Sequence, residues 1–298
     1  EWGEKPEFKF TPKNHLELGE ELQLFDFKRS AKMAGSGFPL FKGIGARLER
    51  SLINFMLDHH TTFNNYVELL PPYLSNSLAM QNTGQLPKFE DDMYKIQNDK
   101  LYCIPTAEVP ITNMHQDEIL LDSDLPKKYV AYSACFRREA GSYGKDTKGL
   151  SRLHQFNKVE LVKFVNPKSS YEELEILLKD ATLILQKLGL HYRVIELCSG
   201  DLSFSAAKCY DIEVWSPFEK KYLEVSSCSN FESFQAQRGN IKYRDKVSNK
   251  LKFVHTLNGS GLATPRLMIA LLEAYQTKDG SIELPKSISK YSGLDIIN

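Results

Sequence analysis

The chain has 298 residues with 38 Lys+Arg against 38 Asp+Glu, a net charge of zero, and 42% apolar residues. That length supports a large core, while neutrality argues against a protein that holds nucleic acid by its overall charge, so any polyanion site has to be local. Apolar runs are only a few residues long, far short of the ~20 that a membrane-spanning helix needs. The five cysteines are scattered without a CxxC pair, which suits a reduced, cytoplasmic setting better than a disulfide framework.

In chain order, residues 1–14 read as an extended entry segment and 15–33 as one or two short helices. Phe41 to Phe63 follows a helical period, with Leu48, Leu52, Phe55, Met56 and His59 on one stripe. Tyr66–Leu70 is a strand stopped by Pro71-Pro72, and 73–100 is loop-rich. Leu101–Ile104 is a short strand, after which Pro105-Thr106 opens a helix with Glu108 in its first turn. Tyr129–Glu139 and Phe156–Phe164 alternate as strands. Between them, 140–155 is a long loop carrying Lys145, Lys148, Arg152 and His154 against one acid, Asp146, and loops of that length are usually functional. Ser170-Tyr171-Glu172-Glu173 reads as a capping box for a helix that runs to Leu188 and stops at Gly189. Strands follow at 191–197, 210–216 and 221–227, the last two paired about Pro217–Lys220. Thr264 then reads as an N-cap with Pro265 and Arg266 in the first turn. Adjacent strands, with helices before, between and after them, point to an α+β fold with an antiparallel sheet rather than βαβ winding.

Two glycine-rich stretches resemble phosphate loops and fail on spacing. Leu48 stands where GxGxxG needs its third glycine after Gly43 and Gly45. Asp146 follows Gly144-Lys145 where a P-loop needs Ser or Thr. The polar residues of the strands are more informative. Residues two apart share a face, which groups Arg137 with Glu139, and Phe156 with Lys158 and Glu160. Asp211, Glu213 and Trp215 share another face, near Glu224. Charge of this density is costly inside a plain core, although a solvated face of cross-strand ion pairs would carry it too. Arg266 in a helix's first turn opposes the macrodipole unless an anion sits there. Arg137, Arg152 and Arg266 with a nearby acid for a divalent cation would hold a triphosphate without any glycine loop.

Phe136-Arg137-Arg138-Glu139, the loop after it and Arg152-Leu153-His154-Gln155-Phe156 resemble motif 2 of class II aminoacyl-tRNA synthetases. Gly259–Arg266 resembles motif 3, and the helix ending near Phe63 with strand 66–70 and Pro72 resembles motif 1, the dimer-forming element. Thr83–Phe89, Pro105–Glu108, His154–Phe156, Glu224–Asn230 and His255–Ser260 are similar to seryl-tRNA synthetases of bacterial type, so the resemblance spans about residues 3–290. It implies a class II catalytic domain over 1–298, an antiparallel sheet flanked by helices, that forms seryl-adenylate from L-serine and ATP. Serine would then pass to tRNA(Ser), with tRNA(Sec) as a further acceptor.

By the same resemblance, Arg137, Glu224 and Arg266 are the catalytic set. Thr106, Ala107, Glu108, Arg137, Glu160, Asn258 and Ser260 bind serine. Arg137, Arg138, Glu139, Leu153, Phe156, Glu224, Val225, Ser226, Ser227 and Arg266 bind ATP, and Glu224 with Ser227 holds Mg2+. Glu139 would read the adenine amino group, Phe156 would stack beneath the ring, and Arg266 would cover its other face or the γ-phosphate. The family's N-terminal coiled-coil arm is not seen before residue 15. Either the arm was removed or left out of this chain, or the protein is an armless relative, which keeps open an amino acid:carrier-protein ligase; an inactive regulatory paralogue is a third reading. A homodimer through motif 1 and no membrane association complete the expectation.

Overall fold

The structure, a computed structural model, describes residues 1–140 and 148–298. The part of the expected loop that carries Gly141, Gly144, Lys145 and Asp146 lies outside the described residues. Seven strands make the main sheet: β1 (Val67–Leu69), β2 (Lys127–Phe136), β3 (Gln155–Val165), β4 (Tyr192–Glu196), β5 (Lys208–Ser216), β6 (Lys221–Asn230) and β7 (His255–Ala263). Their spatial order is β1-β2-β3-β7-β6-β5-β4. Every neighbouring pair is antiparallel except β1 and β2, which run parallel. The expected α+β class with an antiparallel sheet is what the chain forms.

Three long helices, α1 (Ile44–Phe63), α2 (Ser170–Lys187) and α3 (Thr264–Ala274), supply the main core with Leu48, Leu52, Met56, Leu177, Ile184, Leu267 and Leu271. The period of two sorts each central strand between its faces. On β3, Val159 and Leu161 enter that core, while Val162 and Phe164 join a second cluster with Ala107, Ala131 and Tyr243. Burying each large aliphatic side chain contributes roughly 1.5–3 kcal/mol, so the sheet is held firmly on the helical side. The face bearing Lys158 and Glu160 is left for chemistry.

Four expectations change in detail. The β2 strand ends at Phe136, not Glu139, because the Arg137 N–H turns to the His154 carbonyl (2.9 Å) and the Arg138 N–H to the Asp92 carbonyl (2.8 Å). Glu139 itself has φ +53, so strand alternation does not place it beside Arg137. The capping box at Ser170 does not form: Ser170 is buried inside α2, and its hydroxyl oxygen receives Asn230 Nδ2 (3.2 Å) and faces His255 Nδ1 (2.9 Å). Thr264 opens α3 rather than capping it, and its hydroxyl donates to the Asn157 carbonyl (3.1 Å) and to Glu49. Within 73–100 the chain builds a strand (Leu74–Asn76) and a helix (Ser77–Asn82) capped by Asn76, both too short to show a period. Gly189 does end α2 in the left-handed region, at φ +65.

Two neighbouring strands of the sheet each carry one extra residue. Val225 interrupts the β6–β5 register between Glu224 and Ser226. Gly261 interrupts β7–β3 between Ser260 and Leu262, where a Cβ would come within 2.8 Å of His60 Nε2. The Ser226 hydroxyl donates to the Ser260 carbonyl at 2.8 Å, tying the two bulges together.

Glu49 links α1 to this region: it accepts from Asn157 Nδ2 (2.8 Å) and from Thr264. Burial pushes its carboxyl up to about 7, against those two hydrogen bonds. A raised acid binds its proton more tightly when folded, so this group's stabilisation is fully present below about pH 4.5 and is lost as pH rises through 7. Glu49→Gln should therefore become progressively more stable relative to the parent across that window, read as the difference in Tm between them. A difference that stays flat with pH would show that Glu49 does not titrate there.

Candidate active site

A cavity of about 590 Å³ opens on the sheet face away from the three helices' core. Its inner end is a recess between β3, β7 and the helix Glu108–Asn113. Glu160 is 2% exposed and ion-paired with Lys158, whose ammonium also donates to Thr106 Oγ1 at 2.8 Å. Opposite stands Glu108, whose Oε1 receives Gln235 Nε2 at 2.7 Å. Burial first, and then the Glu160 charge, push the Glu108 carboxyl up to about 7, opposed by Gln235 and Lys158. Asn258 also opposes that rise from beside the Glu108 carboxyl, yet its buried Nδ2 makes no hydrogen bond of normal geometry among the described residues, and both Asn258 and Ser260 line the recess. Two carboxylates face one ammonium, so the recess is one positive charge short when both acids are ionised. An unpaired donor and a missing cation in one buried recess describe what would fill it.

The outer end is cationic and aromatic. Arg137 lies over Phe156, its guanidinium carbon 5.2 Å from the ring centroid. Arg152 pairs with Glu139 at 2.5 Å. Arg266, at the start of α3, donates to the Ser151 carbonyl (3.3 Å) and the Glu224 carbonyl (2.8 Å), with the Glu224 carboxylate 3.7 Å away. The charge that opposes the α3 dipole is thus met by oxygen ligands on two sides. Ser227 Oγ donates to Glu224 Oε1 at 3.3 Å. The stretch Glu224–Ser227 lines the cavity throughout, as does Leu153.

Of the residues expected at the site, Ala107 and Arg138 do not line this cavity. Ala107 is fully buried behind it, packed with Ile111 and Ala131. Arg138 is exposed, on a chain that has already left the sheet. Lys158 is the residue that sequence reasoning passed over. Its signal was there, two positions from Glu160 on the same strand face, but a lysine in a strand reads as surface until burial is known. Among the described residues no group of three His, Cys, Asp or Glu side chains could hold a metal ion by itself.

Comparison with known proteins agrees with this geometry. The family model for the tRNA synthetase class II core domain (G, H, P, S and T) matches residues 88–275. The chain is 61% identical over 293 residues to a serine–tRNA ligase of Chloroherpeton thalassium, covering 98% of this chain and 69% of that protein. It is 58% identical to one of Thermodesulfovibrio yellowstonii, covering 99% and 70%. Among solved structures, seryl-tRNA synthetase of Pyrococcus horikoshii complexed with ATP superposes with a TM-score of 0.94 at 42% identity, covering 97% of this chain and 65% of that chain. Prolyl-tRNA synthetase of Giardia lamblia, at 18% identity and a TM-score of 0.77, covers 91% and 53% and shares the fold. With the charge-deficient recess at one end of the cavity and the arginines at the other, these matches show that the chain belongs to the serine–tRNA ligase family of class II aminoacyl-tRNA synthetases.

Proposed function

We propose that this chain activates L-serine with ATP and that the resulting seryl group is destined for the 3′ end of tRNA(Ser), with tRNA(Sec) as a second acceptor. The observation that carries the reading is the recess: Glu108 and Glu160 against a single Lys158, with Asn258 Nδ2 unpaired. The ammonium of serine supplies the missing positive charge, and its hydroxyl bonds to groups that alanine would leave unpaired. A site built on such bonds rejects the analogue lacking them by roughly 10⁴–10⁵-fold. In this reading Thr106, Glu108, Glu160, Asn258 and Ser260 surround serine.

The serine carboxylate is already a nucleophile, so no side chain has to act as general base. Its oxygen forms a bond to the α-phosphorus while the bond to pyrophosphate breaks. Arg137 stands between recess and outer end, where it can draw carboxylate and α-phosphate together and meet charge on the phosphoryl oxygens. Phe156 offers the adenine a face, Glu139 a hydrogen-bond acceptor, and Arg266 a cation for the far phosphates. Glu224 and Ser227 suit Mg2+, a hard cation content with one carboxylate and a hydroxyl when phosphate oxygens complete its shell; when bound, it would neutralise phosphate charge.

Phe63, Val67 and Leu70 are 69%, 58% and 80% exposed, an apolar strip on the motif 1 element that supports a homodimer there. No helix among the described residues is long and apolar enough to cross a membrane, and the cytoplasm is the proposed location. ATP–pyrophosphate exchange measured with each amino acid in turn tests the central claim. Exchange with serine alone is the expected result; exchange with glycine or alanine would favour a carrier-protein ligase, and none at all would leave a regulatory paralogue.

A further inference from the structure

We infer that His15, far from the reacting atoms, is a positioning residue that holds the returning stem of the motif 2 loop against the ATP end of the cavity. His15 opens the short helix His15–Glu21 and is 4% exposed. Its helix is pinned at both ends of its first turn: Asn14 caps the Leu16 and Glu17 N–H groups, and Glu17 accepts from the Asn14 N–H at 3.0 Å. The preceding residue is strapped to the end of α3, with the Lys13 N–H donating to Gln276 Oε1 (2.7 Å) and Gln276 Nε2 to the Lys13 carbonyl (3.0 Å).

The imidazole then spans two elements. Its Nε2 accepts the Leu150 N–H at 3.2 Å, which leaves the proton on Nδ1. That nitrogen faces Glu273 Oε1 at 3.6 Å, too far for a hydrogen bond, and is buried without a hydrogen-bond partner among the described residues. Glu273 is fully buried on α3 and is itself held by the His15 N–H (3.3 Å) and the Ser216 hydroxyl (2.5 Å). The Leu150 bond, not the carboxylate, therefore orients the ring. The loop is shaped to receive it. Gly149 has φ +64, and a Cβ there would stand 2.3 Å from His15 Nε2, so only glycine lets the backbone close on the ring.

Beyond Leu150 the chain becomes the cavity wall. Ser151 gives its carbonyl to Arg266, Arg152 pairs with Glu139, and Leu153 lines the nucleotide end. That hydrogen bond ties down the stem from which these groups hang, beside the burial of Leu150 in the core and the His154 N–H to the Gly37 carbonyl (2.7 Å), and α3 carries both Arg266 and the Glu273 that accepts the His15 N–H. Losing the bond should loosen the ATP end and leave the serine recess as it is.

This rests on reading the cavity as an ATP and serine site, and one assay separates the two claims. In serine-dependent ATP–pyrophosphate exchange, His15→Leu should raise the KM for ATP about tenfold, with the KM for serine within about twofold of the parent. His15→Gln, whose amide oxygen can take the place of Nε2, should recover most of the loss. Should His15→Leu fail to fold, His15→Asn, polar but too short to reach Leu150, carries the same expectation. A parent chain without exchange would overturn the proposed function itself. An active parent with an unchanged ATP KM in these variants, an equal rise in both KM values, or no recovery with Gln would overturn the positioning role alone.

Discussion

Glu160→Ala should lower kcat/KM for serine in pyrophosphate exchange by at least about 10²-fold, approaching complete loss. The carboxylate is buried and ion-paired with Lys158. Its removal deletes a serine ligand and also takes away the ion-pair partner of the Lys158 ammonium, leaving only the more distant Glu108 beside it. Removing one member of a buried pair costs roughly 3–5 kcal/mol, more than two decades in an equilibrium constant. Part of that cost will appear as a lower Tm, so Glu160→Gln is the sharper variant: it keeps the shape and withdraws only the charge. With Gln, serine binding should still fail while ATP binding, followed by equilibrium dialysis, persists. Exchange at the parent rate in either variant would take Glu160 out of the recess.

Arg137→Ala should cost roughly 10²–10³ in kcat, the usual effect of removing one donor aimed at developing charge. Its stability cost should be small, because Arg137 is exposed and stacks on one face of Phe156 rather than filling a core. Serine and ATP should each still bind when measured separately, since the arginine's work lies in bringing them together. Lysine at 137 should recover only a fraction, having the charge but not the planar fork. A variant that binds neither substrate would show Arg137 to be a ligand of the ground state instead.

The α+β class, the hairpin of β5 and β6 and the helical stripe of α1 were legible because long elements repeat their period many times, whereas the central strand β7, rich in glycine and small polar residues, shows no such period. Glu160 and Glu224 stood out because charge on a strand has to be explained, and Arg266 because it opposes a helix dipole. Other features depend on contacts far apart in sequence. Thr264 and Ser170 carry the local pattern of caps, yet distant partners, Glu49 with Asn157 and Asn230 with His255, claim their hydroxyls. Ala107 sits within Pro105–Glu108, but a stretch of resemblance does not say which of its members face the cavity, and a methyl group behind the wall looks the same on paper as one lining it. Lys158 was hidden for the opposite reason, since only the depth of the recess turns a surface residue into a buried counter-charge. His15 has no pattern of its own at all, because its partners lie 135 and 258 residues away.

The bulge at Val225 bears on how such a protein can change. In a regular strand Glu224 and Ser227, three apart, would face opposite sides of the sheet. With one residue out of step both reach the cavity, and Ser227 bonds to Glu224. Excising Val225 would leave Glu224 and Ser227 two apart in a regular ladder and still on one side of the sheet. What turns one of them away is straightening the strand with Val225 kept in the ladder. A substitution that lets the strand absorb its extra residue would pass a screen for soluble, well-folded protein and fail one for adenylate formation, whereas the deletion keeps both groups on the cavity side.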